Sequence, residues 1–457
     1  MNGGTTLDAL ARPEASPAAG AQDRILDGPC TYHRTAPVRW TRPAPDPIAV
    51  HLARYGPLPA ALALDRSGFR DRLLDTLRAI GLSGRGGAHF SVATKWESAL
   101  RNGGGGTVVG TGVEGEPVAA KDAALLTHRP HLVLDGLVCA ARAIGAPDVV
   151  VYLRRDAPQV REAVERAIVE RWQAGVADDP RIRIALGPHG YLTGESTAVL
   201  NALSGGPAIP RFGRELPTTI GLGGRPTIVH NVETAARIAL AARRGSSGYR
   251  DTVLVTVLGP DRRVVVETPP TTTVAQAVAL GLGTFPVPQA VLLGGYGGAW
   301  SPWTHVAGLP LDHHALRAAG SGLGAGVIAP LPAHACGLVE TARVVDYLAG
   351  QSAGQCGPCV FGLPSTAALL GDLARASVTA RSLRRLRRYA DGPPGRGGCS
   401  HPDGVLRLVR SALATFAADV EAHAERGFCL HPGGPAVLPV PENGHLSESV
   451  STPARAW

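Results

Sequence analysis

Asp148-Val149-Val150-Val151-Tyr152-Leu153, the segment Val160 to Ala174, and Arg181-Ile182-Arg183-Ile184-Ala185-Leu186 carry the strongest fold signal in the chain. The first run is continuously apolar and β-branched, as a strand buried on both faces must be. The second repeats its apolar residues at helical spacing between charged ones. The third is strand-like again. Strand, helix and strand in this order are what a parallel crossover requires. On the N-terminal side, Thr107-Val108-Val109 reads as a short strand and Leu132 to Ile144 as a helix. Between Pro57 and Ile80 a helical pattern runs through Phe69, Leu73, Leu74, Leu77 and Ile80, and it stops at Gly81. The whole predicts an α/β domain with a Rossmann-like sheet over residues 46–245.

Beyond it, Thr252 to Glu267 places two β-branched runs around Gly259-Pro260-Asp261, a hairpin signal. A short helix (Val274 to Leu280) and a strand (Ala290 to Leu293) complete a small β-grasp-like unit over 246–332. Residues 333–430 are mostly helical, with loops at 350–362 and 390–405. Residues 1–45 read as a disordered arm, and 431–457 as a disordered Pro/Gly-rich tail.

The chain has 457 residues, 44% hydrophobic and 18% charged, with a net charge of +8. It carries no charge-free apolar run long enough to span a bilayer and no apolar secretory signal at its start, so the expected location is cytoplasmic. No nucleic-acid-binding signature is present. Seven cysteines, an odd number, favour metal or cluster ligation over a disulfide framework. Lys95 and Lys121 are the only two lysines among 45 basic residues. A lysine that persists in so arginine-biased a chain suits a compact point charge against a phosphate.

Both lysines follow glycine-rich segments. Gly84-Arg85-Gly86-Gly87-Ala88-His89-Phe90 precedes Lys95-Trp96, and a backbone without side chains lets several N–H groups converge on a phosphate. Glu114-Gly115-Glu116-Pro117 precedes Lys121-Asp122, and its two carboxylates are placed to accept from ribose hydroxyls or a nicotinamide amide. Taken alone, that turn also reads as a solvated one. Gly190-Tyr191 leads to Gly194-Glu195-Ser196-Thr197, a strand-to-helix turn with capping groups. Gly224-Arg225-Pro226-Thr227 leads to His230-Asn231-Val232-Glu233-Thr234. Last comes Gly354-Gln355-Cys356-Gly357-Pro358-Cys359, with Cys399 lying 40 residues beyond Cys359.

In this order and spacing, the five segments resemble the NADH-binding flavoprotein (F-type) subunit of respiratory complex I, a module also found in NAD-linked hydrogenases and formate dehydrogenases. The resemblance covers roughly residues 55–430. It implies an FMN-binding α/β domain with NADH stacked on the flavin, an SLBB-type β-grasp domain and a helical iron–sulfur domain. Carried over by position, Gly84, Arg85, Gly86 and Lys95 lie at the flavin phosphate. Tyr191, Gly194, Glu195 and Asn231 supply further flavin contacts. Glu116 and Phe90 face the nicotinamide nucleotide, and Gly87, Glu114 and His230 are further cofactor-binding positions. Cys356, Cys359 and Cys399 are the cluster ligands.

Several positions depart from the family pattern. Thr111 and Val113 stand where Asn and Asp are usual, Ser196 where an acid is usual, and Gly213 and Leu216 where Lys and Phe help hold NADH. Losing the Phe removes stacking of about 1 kcal/mol. Ala353 replaces the first cluster cysteine. Three thiolates suit a [3Fe–4S] cluster, or a [4Fe–4S] cluster with an outside ligand, for which Ser352 and His401 are nearest. A zinc site or an empty vestige are the competing readings. Cys336 matches a structural family cysteine, while Cys30, Cys139 and Cys429 read as plain thiols.

The function implied is an NADH dehydrogenase-type flavoprotein. It passes electrons through FMN and the cluster to a partner protein, such as a [2Fe–2S] or membrane-bound subunit, and sits peripherally on the membrane through its partners. The alternatives are a non-catalytic assembly or ligand-binding paralogue, or a flavoprotein fed by another donor such as ferredoxin. Arg381, Arg384, Arg385, Arg387 and Arg388 form a basic helix that reads either as a solvated face or as a dock for an acidic partner.

Overall fold

The computed structural model describes residues 25–26, 30–33, 45–58, 66–175, 179–213, 215–431 and 436–441. In chain order its strands are β1 (Cys30–His33), β2 (Thr107–Gly112), β3 (Asp148–Arg154), β4 (Arg181–Gly187), β5 (Thr227–Asn231), β6 (Val253–Leu258), β7 (Arg262–Thr268), β8 (Ala290–Leu293), β9 (Ala299–Pro302) and β10 (Val327–Leu331).

Four of them make a parallel sheet in the order β4-β3-β2-β5. The interior of β3 is fully buried, as its unbroken apolar run requires. The chain steps from β2 to β3 to β4 in one direction and then returns to place β5 on the other side of β2. That reversal leaves a crevice at the carboxyl ends of β2 and β5, where open α/β sheets take their ligands.

Helices Pro130–Ile144 and Val232–Gly248 pack closely beside this sheet. The contact depends on Gly136, because a Cβ there would lie 1.7 Å from the Ala235 carbonyl oxygen. Asp135, on the same helix, is buried and gathers three other helices around it. It accepts from His51 Nε2 (2.8 Å) on helix Ile48–Tyr55, from Arg171 Nη1 (2.7 Å) on helix Pro158–Gln173, and from Arg243 on helix Val232–Gly248. Burial pushes the Asp135 carboxyl up, but the bond from His51 and the two guanidinium charges hold it well below the usual carboxylate range.

The second sheet runs β1-β7-β6-β10-β8-β9. β6 and β7 form the hairpin read from the sequence. The neighbour of β6 on its other side is β10, parallel to it, and β8 pairs with β10 rather than with the hairpin. Helix Val274–Leu282 begins with a capping box between Thr273 and Gln276. Two expectations are corrected here. Cys30–His33, placed by the sequence reading in a disordered arm, pairs antiparallel with β7, and Ile25 and Leu26 are buried. In the expected disordered tail, Leu438 is buried and its N–H donates to Glu340 Oε2 at 2.7 Å. The remaining residues of 1–45 and of 431–457 lie outside the described residues, apart from 45, 431 and 436–441. So does much of the expected helical run 57–65, and the described helix there is Arg66–Ala79.

Helices Gly337–Gly350, Leu363–Ala374, Ala380–Ala390 and His401–Thr415 form the last layer around Leu338, Leu348, Leu370, Leu386 and Leu408. β9 locks onto it through Trp300, whose Nε1 donates to Thr341 Oγ1 and whose backbone N–H donates to Ser411 Oγ, both at 2.9 Å. No helix among the described residues is long and apolar enough to cross a membrane.

Replacing Asp135 by Ala leaves two arginines facing each other without their shared acid. The expected loss is roughly 3–5 kcal/mol of unfolding free energy, measured by urea titration. Asp135→Asn should lose less.

Candidate functional site

The glycine loop is closed at its base by a bridge between Ser83 and Ser91 and by Gly84 N–H donating to the Phe90 carbonyl at 2.9 Å. Ser91 then caps helix Val92–Arg101. Within the loop, Arg85 N–H donates to Thr234 Oγ1 at 2.8 Å, and Gly86 faces Asn231 so closely that a Cβ would sit 3.3 Å from the Asn231 Cβ. Gly87 has a φ of +104°, a backbone that side chains rarely adopt. The loop is thereby laid over the carboxyl end of β5, at the crevice.

The two lysines have opposite fates. Lys95 reaches from its helix to the Val229 carbonyl of β5 at 2.9 Å, and no carboxylate pairs with it among the described residues. Burial pulls its ammonium down to about 8. Lys121 is buried and fully countered, at 2.7 Å from Asp122 Oδ1 and 3.0 Å from Glu233 Oε2. The expectation that both lysines meet phosphate is therefore corrected for Lys121, whose charge is already spent. Lys95 has an uncompensated charge beside a glycine loop, which is the environment an anion neutralises.

Several expected ligand contacts are engaged internally. The Glu114 carboxylate accepts from the Asp122 and Ala123 N–H groups (3.0 and 3.2 Å) at the start of helix Lys121–His128, and Glu114 takes a φ of +46° to do so. The Glu195 carboxylate caps helix Ser196–Leu203 by accepting from Thr197 and Ala198 N–H. His230 Nε2 accepts from Trp96 Nε1 at 2.8 Å, and burial holds its ring well below the usual histidine range. Asn231 caps helix Val232–Gly248 and donates to Asp122 Oδ2 at 2.6 Å. The side chains of these four residues set the shape of the crevice.

Other groups remain open. Glu116 accepts from Tyr296 N–H at 2.9 Å through Oε2, while its buried Oε1 has no partner. Burial pushes its carboxyl up to about 8. Gly115 fits under the 190–191 backbone, where a Cβ would meet the Tyr191 carbonyl oxygen at 2.5 Å, and Gly194 lies 3.8 Å from the Gly115 nitrogen on the same measure. Arg85 holds Asp251 through Nη2 (2.6 and 2.8 Å) and leaves its buried Nε without a partner. His89, with a φ of +49°, stacks on His313 at 4.0 Å, and both its ring nitrogens lack partners. Phe90 is half exposed. Gly213 and the exposed Leu216 present no aromatic face where the family pattern has one.

The cysteine site adjoins this crevice. Tyr191 N–H donates to Gln351 Oε1 at 2.9 Å, and the Tyr191 ring lies 5.4 Å from that of His401. Cys356, Cys359 and Cys399 interact with one another. Burial pushes the Cys356 thiol up, but N–H groups of Gly398 and Cys359 bring it below the usual thiol range, as a ligating sulfur needs. Burial pushes Cys359 up to about 11, against a bond with Ser352. Ser352 thus stands beside a cluster cysteine. His401 Nε2 instead donates to the Leu348 carbonyl at 2.8 Å, which commits that nitrogen. Three thiols held next to one another are a donor set that suits iron–sulfur iron.

The profile of the Nuo51 FMN-binding domain matches residues 77–240, and that of the NADH-ubiquinone oxidoreductase-F iron-sulfur binding region matches residues 340–423. The chain belongs to the family of NADH-binding flavoprotein (F-type) subunits. It is 29% identical to the second F-type subunit of the NADH-quinone oxidoreductase of Rhizobium meliloti, over 79% of this chain and 90% of that one. It is 28% identical to the F-type subunit of the NADH-quinone oxidoreductase of Escherichia coli, over 78% and 85%. Among solved structures, an NAD+-reducing [NiFe]-hydrogenase in the H2-reduced state superposes with a TM-score of 0.72 at 27% identity, covering 83% of this chain and 67% of that chain. Within this F-type protein, sequence reasoning did not find Asp251, Tyr296 and Gln351, which are second partners of predicted residues and lie outside the motif segments. Asp122 and Thr234 lie inside those segments, but their partnership with Asn231 and Arg85 was not legible.

In the cofactor-free protein, Glu116 holds a proton that the unfolded chain releases near pH 4.5. Its contribution to stability therefore falls as pH rises from 4.5 to about 8. Glu116→Gln should flatten this fall, by on the order of a few kcal/mol, in melting curves recorded across that range.

Proposed function

We propose that this F-type protein oxidises NADH at a flavin held in the crevice between β2 and β5 and delivers electrons to a partner protein through the cysteine site. Bound FMN would supply the chemistry that accepts a hydride and yields single electrons, and the protein contributes binding, position and electrostatics. The observation that carries the reading is Lys95, a buried cation without a carboxylate partner among the described residues, beside a glycine loop laid against Asn231 at the end of β5.

In this reading Lys95, the Arg85 Nε–H and the backbone of Gly84, Gly86 and Gly87 hold the phosphate. Tyr191 and Gly194 line the other wall. Glu116 Oε1, with its raised affinity for a proton, donates to or accepts from the nicotinamide nucleotide, and Phe90 offers a partly exposed ring for stacking. Glu114, Glu195, His230 and Asn231 position these groups through the helix starts and the Trp96 contact. Cys356, Cys359 and Cys399 ligate the cluster, with Ser352 as the neighbouring oxygen. The partner is an acidic electron carrier or subunit that meets the exposed arginines of helix Ala380–Ala390, and the chain works on the cytoplasmic side, reaching the membrane only through such partners.

Three outcomes are expected, the first from the anaerobically reconstituted wild type and the others from variants. NADH bleaches the flavin absorbance of the wild type. Flavin that responds to dithionite but not to NADH would instead assign another donor, and absence of flavin would favour a non-catalytic paralogue. Lys95→Ala should bind FMN roughly 10- to 100-fold more weakly by fluorescence titration. Cys356→Ser should lose iron while its flavin still bleaches with NADH.

A further inference from the structure

Outside the flavin and cluster sites, the fold brings together a second set of soft ligands. Cys336 caps helix Gly337–Gly350, His423 lies in the turn Ala422–Arg426 at the far end of the helical layer, and Cys429 follows Gly427 in the strap that leaves it. Their ligand atoms all lie within 4.8 Å of one another, and Cys336 and His423 are buried. Cys336 Sγ stands 3.7 Å from His423 Nε2. A tetrahedral zinc, with Zn–S of about 2.3 Å and Zn–N of about 2.0 Å, places sulfur and nitrogen about 3.5 Å apart.

The surroundings of His423 fit the same geometry. Its Nδ1–H donates to the Leu373 carbonyl at 2.9 Å, which fixes the tautomer and leaves the Nε2 lone pair turned towards Cys336. Imidazoles that bind zinc are oriented by such a second bond. Cys429 Sγ accepts from the backbone N–H of His431 at 3.4 Å, which helps hold the sulfur in place. A thiol–imidazole hydrogen bond would explain the approach of Cys336 to His423, but not the convergence of a third ligand. Two thiolates and one imidazole around one point suit zinc among the common divalent ions.

We propose that Cys336, His423 and Cys429 bind a zinc ion, with water in the fourth position. The ion fastens the C-terminal strap to the start of the first helix of the layer and to the turn Ala422–Arg426, which itself holds the second helix through the bond from His423 to Leu373. The site is separate from Cys356, Cys359 and Cys399, and it does not depend on the flavin reading.

The test counts metals in the full-length protein purified anaerobically with its iron reconstituted. Zinc and iron are measured by inductively coupled plasma mass spectrometry in the wild type and in Cys336→Ser, His423→Gln, Cys429→Ser and Cys356→Ser. One zinc per chain is expected in the wild type and in Cys356→Ser, with a loss of more than about 10-fold in the other three. Protein made in cobalt medium should show the intense visible bands of tetrahedral cobalt with thiolate charge transfer, and Cys429→Ser should not. The wild-type measurements stand even if a variant fails to fold. Wild-type protein without zinc overturns the proposal, as does a Cys336–Cys429 disulfide seen as the loss of two hydrogens by mass. Zinc that disappears in Cys356→Ser but persists in Cys429→Ser also overturns it, by placing the ion at the cluster cysteines.

Discussion

The ammonium of Lys121, enclosed between Asp122 and Glu233, is the interaction on which the site depends. Asp122 also receives Asn231, which caps the helix after β5, and its own N–H donates to Glu114 beyond the end of β2. Glu233 leads to Arg237 and from there to Glu267 on β7. One buried cation therefore ties together the segments that follow β2 and β5 at their carboxyl ends and, through Arg237, links them to the second sheet. Burial of so many charges is costly, and removing any single member leaves another uncompensated. A network of this kind specifies geometry more than it adds stability.

That geometry separates two residues of the same type by their surroundings. Lys121 sits where acids from two elements converge. Lys95, one helix turn beyond the glycine loop, meets only a carbonyl among the described residues. In a low-dielectric setting the first is a structural charge and the second is available to a ligand. Arg85 divides the two roles within one side chain, with its Nη2 on Asp251 and its Nε open. The cysteine site shows the same division. Cys356, Cys359 and Cys399 gather beside the Tyr191 loop, while Cys336 and Cys429 gather at the opposite end of the helices that carry the cluster ligands.

The fold was legible where periodicity and turn chemistry are local. The unbroken run of β3, the helix after it and the Gly259-Pro260-Asp261 hairpin all read directly. β10 did not, because its partner β6 lies about seventy residues earlier and its own sequence, Val327 to Leu331, is too short to distinguish from a loop edge. β1 was hidden for a related reason. Its four residues lie in an Ala/Pro/Gly-rich segment, and only the open edge of β7 makes them a strand.

At the site, residue types could be read from the chain alone: glycines where backbone must approach a ligand, a rare lysine, paired acids and closely spaced thiols. These are covalent facts, and their order along the chain carried the family resemblance. Which polar group was already satisfied became visible only after folding. Glu114 and Glu195 were drawn to helix starts, His230 to Trp96 and Lys121 to two acids, because a buried donor or acceptor takes the partner that folding brings nearest. Folding alone also placed Cys336, His423 and Cys429, spread over more than ninety residues, around one point, since metal-ligand geometry depends on distance in space and not along the chain.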